Sequence, residues 1–156
     1  MTDDLSGIIL DDLSGEEIAV FLQAHIDDMR AISPPESKHA LDLKGLRSPE
    51  ITFWSAYHGG VLVGCGALKE LTSEHGEIKS MRTGATARGK GIATAVLQHI
   101  LGEARKRGYT RLSLETGSMD FFKPAHRLYT RHGFELCAPF ADYVDDPNSL
   151  FMCIHL

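Results

Sequence analysis

One stretch decides how this chain folds: Met81-Arg82-Thr83-Gly84-Ala85-Thr86-Ala87-Arg88-Gly89-Lys90-Gly91-Ile92-Ala93-Thr94. Its pattern is a strand end, a short basic turn and the start of a long helix, whose first N–H groups lack intrahelical partners and whose dipole is positive at that end. Gly89 and Gly91 leave room for a phosphate at the bare backbone. Arg88 and Lys90 add full positive charges, so the stretch predicts a pyrophosphate-binding turn.

The composition is that of an ordinary globular protein and excludes several classes of function. The 156 residues are 43% hydrophobic and 24% charged, which predicts a single domain over 1–156. No apolar run approaches the roughly 18 residues of a membrane span, and the acidic N-terminus lacks a secretory pattern. We therefore expect a cytoplasmic protein with no membrane partner. The net charge of −5 argues against a nucleic-acid partner.

The cysteines and histidines predict no metal site. Cys65, Cys137 and Cys153 form no CxxC pair, and the eight histidines show neither HxxxH nor HExxH spacing. Each cysteine lies within an apolar, strand-like run. Buried free thiols are therefore predicted in preference to a catalytic cysteine.

Positive charge is concentrated around the glycine turn. Residues 79–111 contain eight Lys or Arg and one acid, so this segment carries +7 and the rest of the chain −12. One basic segment in an acidic chain suits a small phosphorylated ligand better than a polyanion. The basic residues at 105–107 also complement the negative end of a helix, but Arg82, Arg88 and Lys90 lie at its other end and are not explained in that way.

Hydrophobic periodicity predicts four helices and seven strands. Gly64 and Gly66 weaken one strand and mark a close approach of another backbone. Strict alternation along another strand puts Glu77, Lys79 and Met81 on one face. The predicted strands are 7–12, 51–57, 61–71, 76–83, 111–116, 134–138 and 150–156, and the predicted helices are 15–31, 38–46, 92–107 and 123–132.

The order of these elements predicts an α+β fold with a mixed sheet. A strand, a crossover helix and a second strand form a βαβ unit, so strands 76–83 and 111–116 are expected to be parallel. The segment 139–149 is too long for a tight hairpin and is expected to line a site.

Three interpretations of the glycine turn compete. A dinucleotide fingerprint requires GxGxxG, but Thr94 stands in the third position and the first half of the chain lacks repeated βαβ units. A nucleotide triphosphatase P-loop requires GxxxxGK[ST], which is absent. The third interpretation is a basic loop whose glycines only turn the chain. A second motif favours a binding site, namely Ala125-His126-Arg127-Leu128-Tyr129 followed by His132-Gly133-Phe134.

Together the two motifs resemble those of the GCN5-related N-acetyltransferases, the GNAT family. The family pattern Q/R-x-x-G-x-G/A matches 86–91 except at its first position, which is Thr86. The second motif, Ala-x-x-Leu-Tyr-x-x-x-Gly-Phe, matches 125–134. Many members carry an asparagine where this chain has Phe122. Further stretches resemble one bacterial subgroup, the YsnE-type acetyltransferases, at 33–41, 77–83, 114–117 and 146–152.

The resemblance implies a GNAT-like fold with acetyl-coenzyme A between two parallel strands that splay apart. Backbone N–H groups of the turn would hold the pyrophosphate, and Arg88 or Lys90 would meet the 3′-phosphate. Met81 and Thr83 would offer main-chain groups to the pantetheine arm. The implied cofactor-binding residues are Met81, Arg82, Thr83, Arg88, Gly89, Lys90, Gly91, Ile92, Ala93, Thr94 and Tyr129.

Acetyl transfer to an amine requires that the amine lose a proton, that the carbonyl oxygen be stabilised and that the departing thiolate be protonated. Tyr129 stands at the family's tyrosine position and is the candidate general acid, with a core tyrosine as the alternative. Glu77 matches the position of a catalytic glutamate in some relatives and is the candidate base, acting through a water. The alternative for Glu77 is a salt bridge with Lys79. The Met81 N–H is the candidate donor to the carbonyl oxygen.

Four residues are predicted to line the acceptor pocket because they lie in segments that would roof the cleft: Glu36, His39, Trp54 and Tyr143. Glu36 could instead cap a helix, and Trp54 could instead belong to the core. If an acid lines the pocket, a cationic amine is favoured over an acidic amino acid.

The sequence therefore predicts an acetyl-CoA-dependent N-acetyltransferase that moves the acetyl group directly to a primary amine of a small molecule. The alternative is a catalytically inactive acyl-CoA-binding sensor. Tyr129 and Glu77 favour the enzyme, because a degenerate sensor would be expected to lose them. The resemblance also implies that the chain can form a homodimer through its late strands. The identity of the acceptor stays open.

Overall fold

A computed structural model describes residues 7–32, 43–84 and 91–156 of the chain. The strands are β1 (Gly7–Leu10), β2 (Ile51–His58), β3 (Val61–Glu70), β4 (His75–Thr83), β5 (Arg111–Gly117), β6 (Glu135–Leu136) and β7 (Ser149–His155). The helices are α1 (Glu16–Ile32), the single turn α2 (Leu43–Leu46), α3 (Ile92–Lys106) and α4 (Lys123–Arg131), with a 3₁₀ turn at Asp120–Phe122. In these ranges no helix is long and apolar enough to cross a membrane.

The strands form one mixed sheet in the order β1-β2-β3-β4-β5-β7-β6. β4 and β5 are parallel and are connected through α3, as the βαβ pattern predicts. The other neighbouring pairs are antiparallel. The predicted α+β fold is confirmed, with three helices of nine residues or more within the described ranges.

α3 lies directly against β3 because two glycines remove the side chains between them. A Cβ on Gly66 would lie 2.7 Å from Cγ1 of Val96 and 2.9 Å from Cδ1 of Ile100. A Cβ on Gly64 would lie 2.8 Å from Cγ2 of Ile92. The close approach predicted from these glycines is thus an approach of α3, and it sets where that helix begins relative to β4.

Two cores cover the two faces of the sheet. The face toward α3 and α4, called here the α3 face, holds the larger core. The opposite face packs against α1 and α2. The α3-face core includes Trp54, Leu68, Ile78, Val96, Leu97, Ile100, Leu112, Leu114, Leu128, Tyr129, Phe134 and Met152, and the opposite core includes Leu13, Ile18, Leu22, Leu46, Phe53, Cys65 and Ala67.

A β-bulge in β4 changes the face of the side chains that follow it. Ala67 pairs with Lys79 and Cys65 with Arg82, so Gly66 alone opposes Ser80 and Met81 of β4. Ser80 takes the left-handed conformation, φ 56°, that such a bulge allows. The strict alternation predicted along β4 is therefore wrong beyond the bulge. Met81 packs in the α3-face core with Ile78, instead of sharing a face with Glu77.

The three cysteines are free, as predicted, but they differ in burial. Cys65 is fully buried and donates its thiol to the Ser80 carbonyl at 3.2 Å. Burial raises the pKa of Cys65 to about 12, so the thiol keeps its proton and its donor role beside the bulge. Cys137 and Cys153 are only half-buried, contrary to the prediction.

Candidate active site

The parallel strands β4 and β5 separate partway along their length. Their pairing runs from His75 and Arg111 to Ile78 and Leu114. Beyond that point β4 continues to Thr83, while β5 continues to Gly117 paired with β7. A gap therefore opens between the carboxyl ends of two adjacent strands, which is where ligands bind in sheets that contain parallel strands.

Residues 81–83 lie on β4 beside this gap, past its last pair with β5. Arg82 and Thr83 pair with Cys65 and Gly64 of β3 on the other side. Among the described residues, the pairing of β4 with β5 ends at Ile78, so residues 81–83 border the gap. This is the position in which main-chain groups could bind an extended ligand arm.

The start of α3 lies next to the end of β4 in the chain and begins at a glycine. Gly91 has φ 77°, a conformation that glycine adopts without strain. The first intrahelical bond joins the Ala95 N–H to the Gly91 carbonyl at 3.0 Å, so the N–H groups of residues 92–94 precede it. The first turn contains no acidic residue. This helix end is suited to an anion, whereas Arg88, Gly89 and Lys90 lie outside the described residues.

Tyr129 lies on α4 in the α3-face core. It is 5% exposed, and its ring packs edge-on against Phe134 at 5.5 Å between centroids. Burial raises the pKa of its hydroxyl well above the ordinary value, with no charged partner contributing. The hydroxyl therefore stays protonated at physiological pH, which a general acid requires. Tyr129 also packs in the core, which is the alternative role stated for it. The burial of its ring and the protonated state of its hydroxyl are compatible with both roles.

The position of α4 depends on contacts with the end of β5. The Phe122 ring lies against Gly117, at a distance that leaves no room for a Cβ. His126 makes a hydrogen bond of 2.7 Å with the Gly117 carbonyl. Phe122 thus serves as a packing residue at the position where many GNAT members carry asparagine, and these contacts place Tyr129 relative to β5.

Glu77, Lys79 and Tyr143 form a buried network on the face opposite α3. Glu77 is 2% exposed, and its Oε2 accepts hydrogen bonds from the Tyr143 hydroxyl at 2.6 Å and from Lys79 Nζ at 3.0 Å. Lys79 Nζ also lies 3.0 Å from the Tyr143 oxygen and 5.7 Å from the centre of its ring. The salt bridge named as the alternative role for Glu77 is therefore formed. It does not by itself exclude proton transfer.

Tyr143 connects the segment 139–148 to the sheet. Its ring packs against Phe140 and Phe151, with centroids 5.1 and 5.6 Å away. Burial, and then the negative charge of Glu77, raises the pKa of its hydroxyl far above the ordinary value. Tyr143 is therefore a permanent donor to Glu77. It lies beside β4, in the segment predicted to line the site.

Two further polar pairs lie on the same face of β5. His75 Nε2 lies 2.7 Å from Ser113 Oγ, and Ser149 Oγ donates to Glu115 Oε2 at 2.8 Å. Burial, and then the charge of Arg111, lowers the pKa of His75, so its neutral form is favoured. No role is predicted for Glu115 from the sequence, although its two-residue spacing from Ser113 predicts that both side chains lie on one face of their strand.

Of the other three residues predicted to line the acceptor pocket, the structure describes Trp54. Trp54 is 4% exposed in the α3-face core and stacks edge-on against His99 of α3, centroids 5.4 Å apart. This environment matches the alternative stated for Trp54, a core residue. Glu36 and His39 lie outside the described residues. Across the described ranges, no group of three His, Cys, Asp or Glu side chains is arranged to hold a metal ion.

Comparison with known proteins identifies relatives over nearly the whole chain. The family model described as the acetyltransferase (GNAT) family matches residues 18–134. The uncharacterised N-acetyltransferase YsnE of Bacillus subtilis is 61% identical over 145 residues, which cover 93% of this chain and 96% of YsnE. The uncharacterised N-acetyltransferase YedL of Escherichia coli is 49% identical over 146 residues, covering 94% of this chain and 92% of YedL.

Solved structures share the architecture. A candidate acyl-CoA N-acyltransferase from Klebsiella pneumoniae superposes with a TM-score of 0.74 and 25% identity, covering 96% of this chain and 97% of its own. A GNAT family acetyltransferase from Elizabethkingia anophelis with acetyl-CoA bound superposes with a TM-score of 0.68 and 15% identity, covering 99% of both chains. At that identity the second likeness concerns the fold alone.

Proposed function

This chain belongs to the GNAT family of acetyltransferases and is an acyltransferase, and we propose that it transfers the acetyl group of acetyl-CoA directly to a primary amine of a small molecule. The observation that carries the proposal is the gap that opens beyond Ile78 and Leu114 between parallel strands. Tyr129 lies in the core on one face of the sheet and the Glu77 network on the other.

The residues around the gap suit acetyl-CoA. Residues 81–83 of β4 border the gap past the last described pair with β5, so their main-chain groups suit an extended chain of amide groups that binds as an added strand would. The N–H groups of residues 92–94 precede the first bond of α3 and suit a pyrophosphate. Arg88, Gly89 and Lys90 remain the predicted remainder of that turn. Bound acetyl-CoA would supply an activated acyl group on a thiol that leaves readily.

Proton transfers fall to this chain's own side chains. Tyr129 keeps its proton because its hydroxyl is buried, and it is the proposed donor to the departing thiolate. Glu77 is the proposed acceptor of the amine proton through a water, with its carboxylate held by Tyr143 and Lys79. The Met81 N–H is the proposed donor to the carbonyl oxygen, where negative charge develops.

Thiol release from acetyl-CoA, measured over a panel of amines, tests this proposal. The panel contains amino acids, polyamines, aminoglycosides and peptides with free N-termini, and mass spectrometry identifies each acetylated product. For the best acceptor, direct transfer predicts intersecting double-reciprocal lines when both substrates are varied. Parallel lines would instead indicate an acetylated enzyme and would refute direct transfer.

Binding of CoA is tested separately by calorimetry. Gly89→Glu places a carboxylate in the predicted phosphate turn and is expected to abolish CoA binding, whereas Gly102→Glu is the matched control. Gly102 lies on α3 with nothing within 4 Å of a Cβ at that position. Equal affinity of both variants for CoA would refute the prediction that this turn binds the pyrophosphate. Tight CoA binding by the wild type without transfer to any amine of the panel would favour an inactive acyl-CoA-binding module.

A further inference from the structure

The position of the Tyr129 hydroxyl depends on where α4 lies. The ring of Tyr129 packs edge-on against Phe134, and the side chain is 5% exposed. Among the described residues, no hydrogen bond holds the Tyr129 hydroxyl. A proton donor has to lie within about 3 Å of the atom that receives the proton. A contact that fixes α4 relative to the gap therefore also fixes the proposed general acid.

One side chain of α4 forms a hydrogen bond with the sheet. His126 Nε2 lies 2.7 Å from the Gly117 carbonyl oxygen and is the donor, because a carbonyl oxygen only accepts. Within residues 7–32, 43–84 and 91–156, this is the only hydrogen bond between an α4 side chain and a strand. Gly117 is buried and His126 is half-buried, so the bond is partly shielded from water.

Gly117 lies on the β5 side of the gap. It is the last residue of β5, three residues beyond Leu114, where the pairing with β4 ends. Gly117 also pairs with Ser149 of β7, so the sheet holds its backbone in place. The hydrogen bond of His126 therefore connects α4 to a fixed point beside the gap.

His126 and Tyr129 are neighbours on the surface of α4. Residues three apart in a helix have Cβ atoms about 5–6 Å apart, so a shift at one of them reaches the other. The Phe122 ring limits how closely α4 approaches β5, because it leaves no room for a Cβ on Gly117. Apolar packing is non-directional, whereas a hydrogen bond weakens steeply as its angle falls. His126 therefore adds the directional restraint on α4.

We propose that His126 is a positioning residue for acetyl transfer: its hydrogen bond to Gly117 holds α4 where the Tyr129 hydroxyl can protonate the departing thiolate. The inference rests on the proposed function, because it concerns the acid of that reaction. The proton passes from the Tyr129 oxygen to the thiolate sulfur, and His126 exchanges none. A misplacement of about 1 Å can lower a rate about 100-fold. Loss of the bond should therefore lower kcat and leave the affinity for CoA unchanged.

Matched variants separate this role from a general effect on folding. His126→Leu removes the donor and keeps a side chain of similar size. His126→Gln keeps a donor, because its amide nitrogen reaches the position of Nε2. His132→Leu is the control. His132 Nδ1 also lies 2.9 Å from a backbone carbonyl, that of Leu128, but this bond stays at the end of α4 and does not reach the sheet.

The value of kcat is measured with the best acceptor of the amine panel, and the dissociation constant of CoA by calorimetry. His126→Leu is expected to lower kcat about 10- to 100-fold without changing the affinity for CoA. His126→Gln and His132→Leu should stay close to wild type. In a Tyr129→Phe background, His126→Leu should lower kcat no further, because residues that act as a unit are not additive.

Four results would overturn the proposal: a wild-type kcat in His126→Leu, an equal loss in His132→Leu, no rescue by His126→Gln, or losses that multiply in the double variant. If His126→Leu does not fold, His126→Asn replaces it. Its amide is one bond shorter than that of glutamine and falls short of the Gly117 carbonyl, so a wild-type kcat in His126→Asn overturns the proposal.

Fluorine NMR measures the placement of Tyr129 without turnover. The chain contains four tyrosines, and after labelling with 3-fluorotyrosine the Tyr129→Phe variant identifies the signal of Tyr129. His126→Leu should shift this signal, whereas His126→Gln and His132→Leu should not. An unmoved signal in His126→Leu refutes the role of His126 and leaves the acetyltransferase intact. If wild type acetylates no amine of the panel, the proposed function fails, and a shifted signal still supports the placement of Tyr129 by His126.

Discussion

Breaking the ion pair between Glu77 and Lys79 should cost a large part of the protein's stability. The two charged atoms are 3.0 Å apart, and the side chains are 3% and 9% exposed. At an effective dielectric constant of about 20, Coulomb's law gives about 5–6 kcal/mol at this distance. Desolvation offsets part of that energy, and removing one member of a buried pair costs about 3–5 kcal/mol, because the other charge stays buried without its partner.

The perturbation is Glu77→Gln, which removes the charge and keeps the shape of the side chain. We expect the free energy of unfolding to fall by about 3–5 kcal/mol. The double variant Glu77→Gln/Lys79→Met should recover most of that loss, since it leaves no unpaired charge. Glu103→Gln is the control. It breaks an ion pair with Arg107 whose side chains are 27% and 28% exposed, and it should cost less than about 1 kcal/mol.

Urea denaturation followed by tryptophan fluorescence measures these changes. Trp54 is the single tryptophan of the chain and is 4% exposed, so its emission reports unfolding directly. A Glu77→Gln loss no larger than that of Glu103→Gln, or strict additivity in the double variant, would refute a strong buried pair. The double variant also tests whether Glu77 acts as the general base. If Glu77 accepts the amine proton, turnover stays low after stability returns, and full recovery of turnover would exclude that role.

Three further predictions concern other parts of the site and fold. Tyr129→Phe should lower kcat about 10²- to 10⁴-fold, as loss of a general acid does, and leave CoA affinity unchanged; unchanged kcat in steady-state assays would exclude Tyr129 as the acid. His75→Gln should reduce the fall in the free energy of unfolding that occurs as the pH decreases. The lowered pKa of His75 means that the folded state favours the neutral ring, so this stability is present above pH 6.5, the ordinary value, and is lost as the pH falls below it. Unfolding free energies measured between pH 7 and pH 4 check this, and parallel curves for wild type and variant would contradict it. Gly66→Ala should destabilise the protein by about 1–3 kcal/mol, because a Cβ meets Val96 and Ile100 at less than 3 Å, whereas Gly7→Ala meets nothing within 4 Å and should be neutral in thermal unfolding.

Much of the fold could be predicted from local patterns in the sequence. The predicted strand 111–116 and helix 92–107 agree with Arg111–Gly117 and Ile92–Lys106 to within one residue. Such elements are predictable because alternation and helical spacing are properties of neighbouring residues. The close approach at Gly64 and Gly66 was also predictable, because glycine within a strand often marks such an approach. The sequence does not say that α3 is the partner.

Interactions between distant parts of the chain were harder to predict. Glu77 and Tyr143 are 66 residues apart, and their hydrogen bond depends on where the segment after β6 returns to the sheet. The bulge at Ser80 moves Met81 to the α3 face, and a single inserted residue leaves no periodic signal in the sequence. Trp54 was predicted to line the pocket from its place in a segment expected to roof the cleft, and only the packing of α3 shows that its ring lies against His99 in the α3-face core.

The sequence by itself determined the α+β class, the parallel pair, the start of α3 after Gly91 and the resemblance to the GNAT family. These follow from spacing along the chain and from motifs that a reader can quote. Only the tertiary structure decided that β4 and β5 part after Ile78 and Leu114, and that Glu77 is paired with Lys79 and with Tyr143. The physical reason is that burial and charge pairing depend on which strands meet, and in which register, so no single stretch of the chain encodes them.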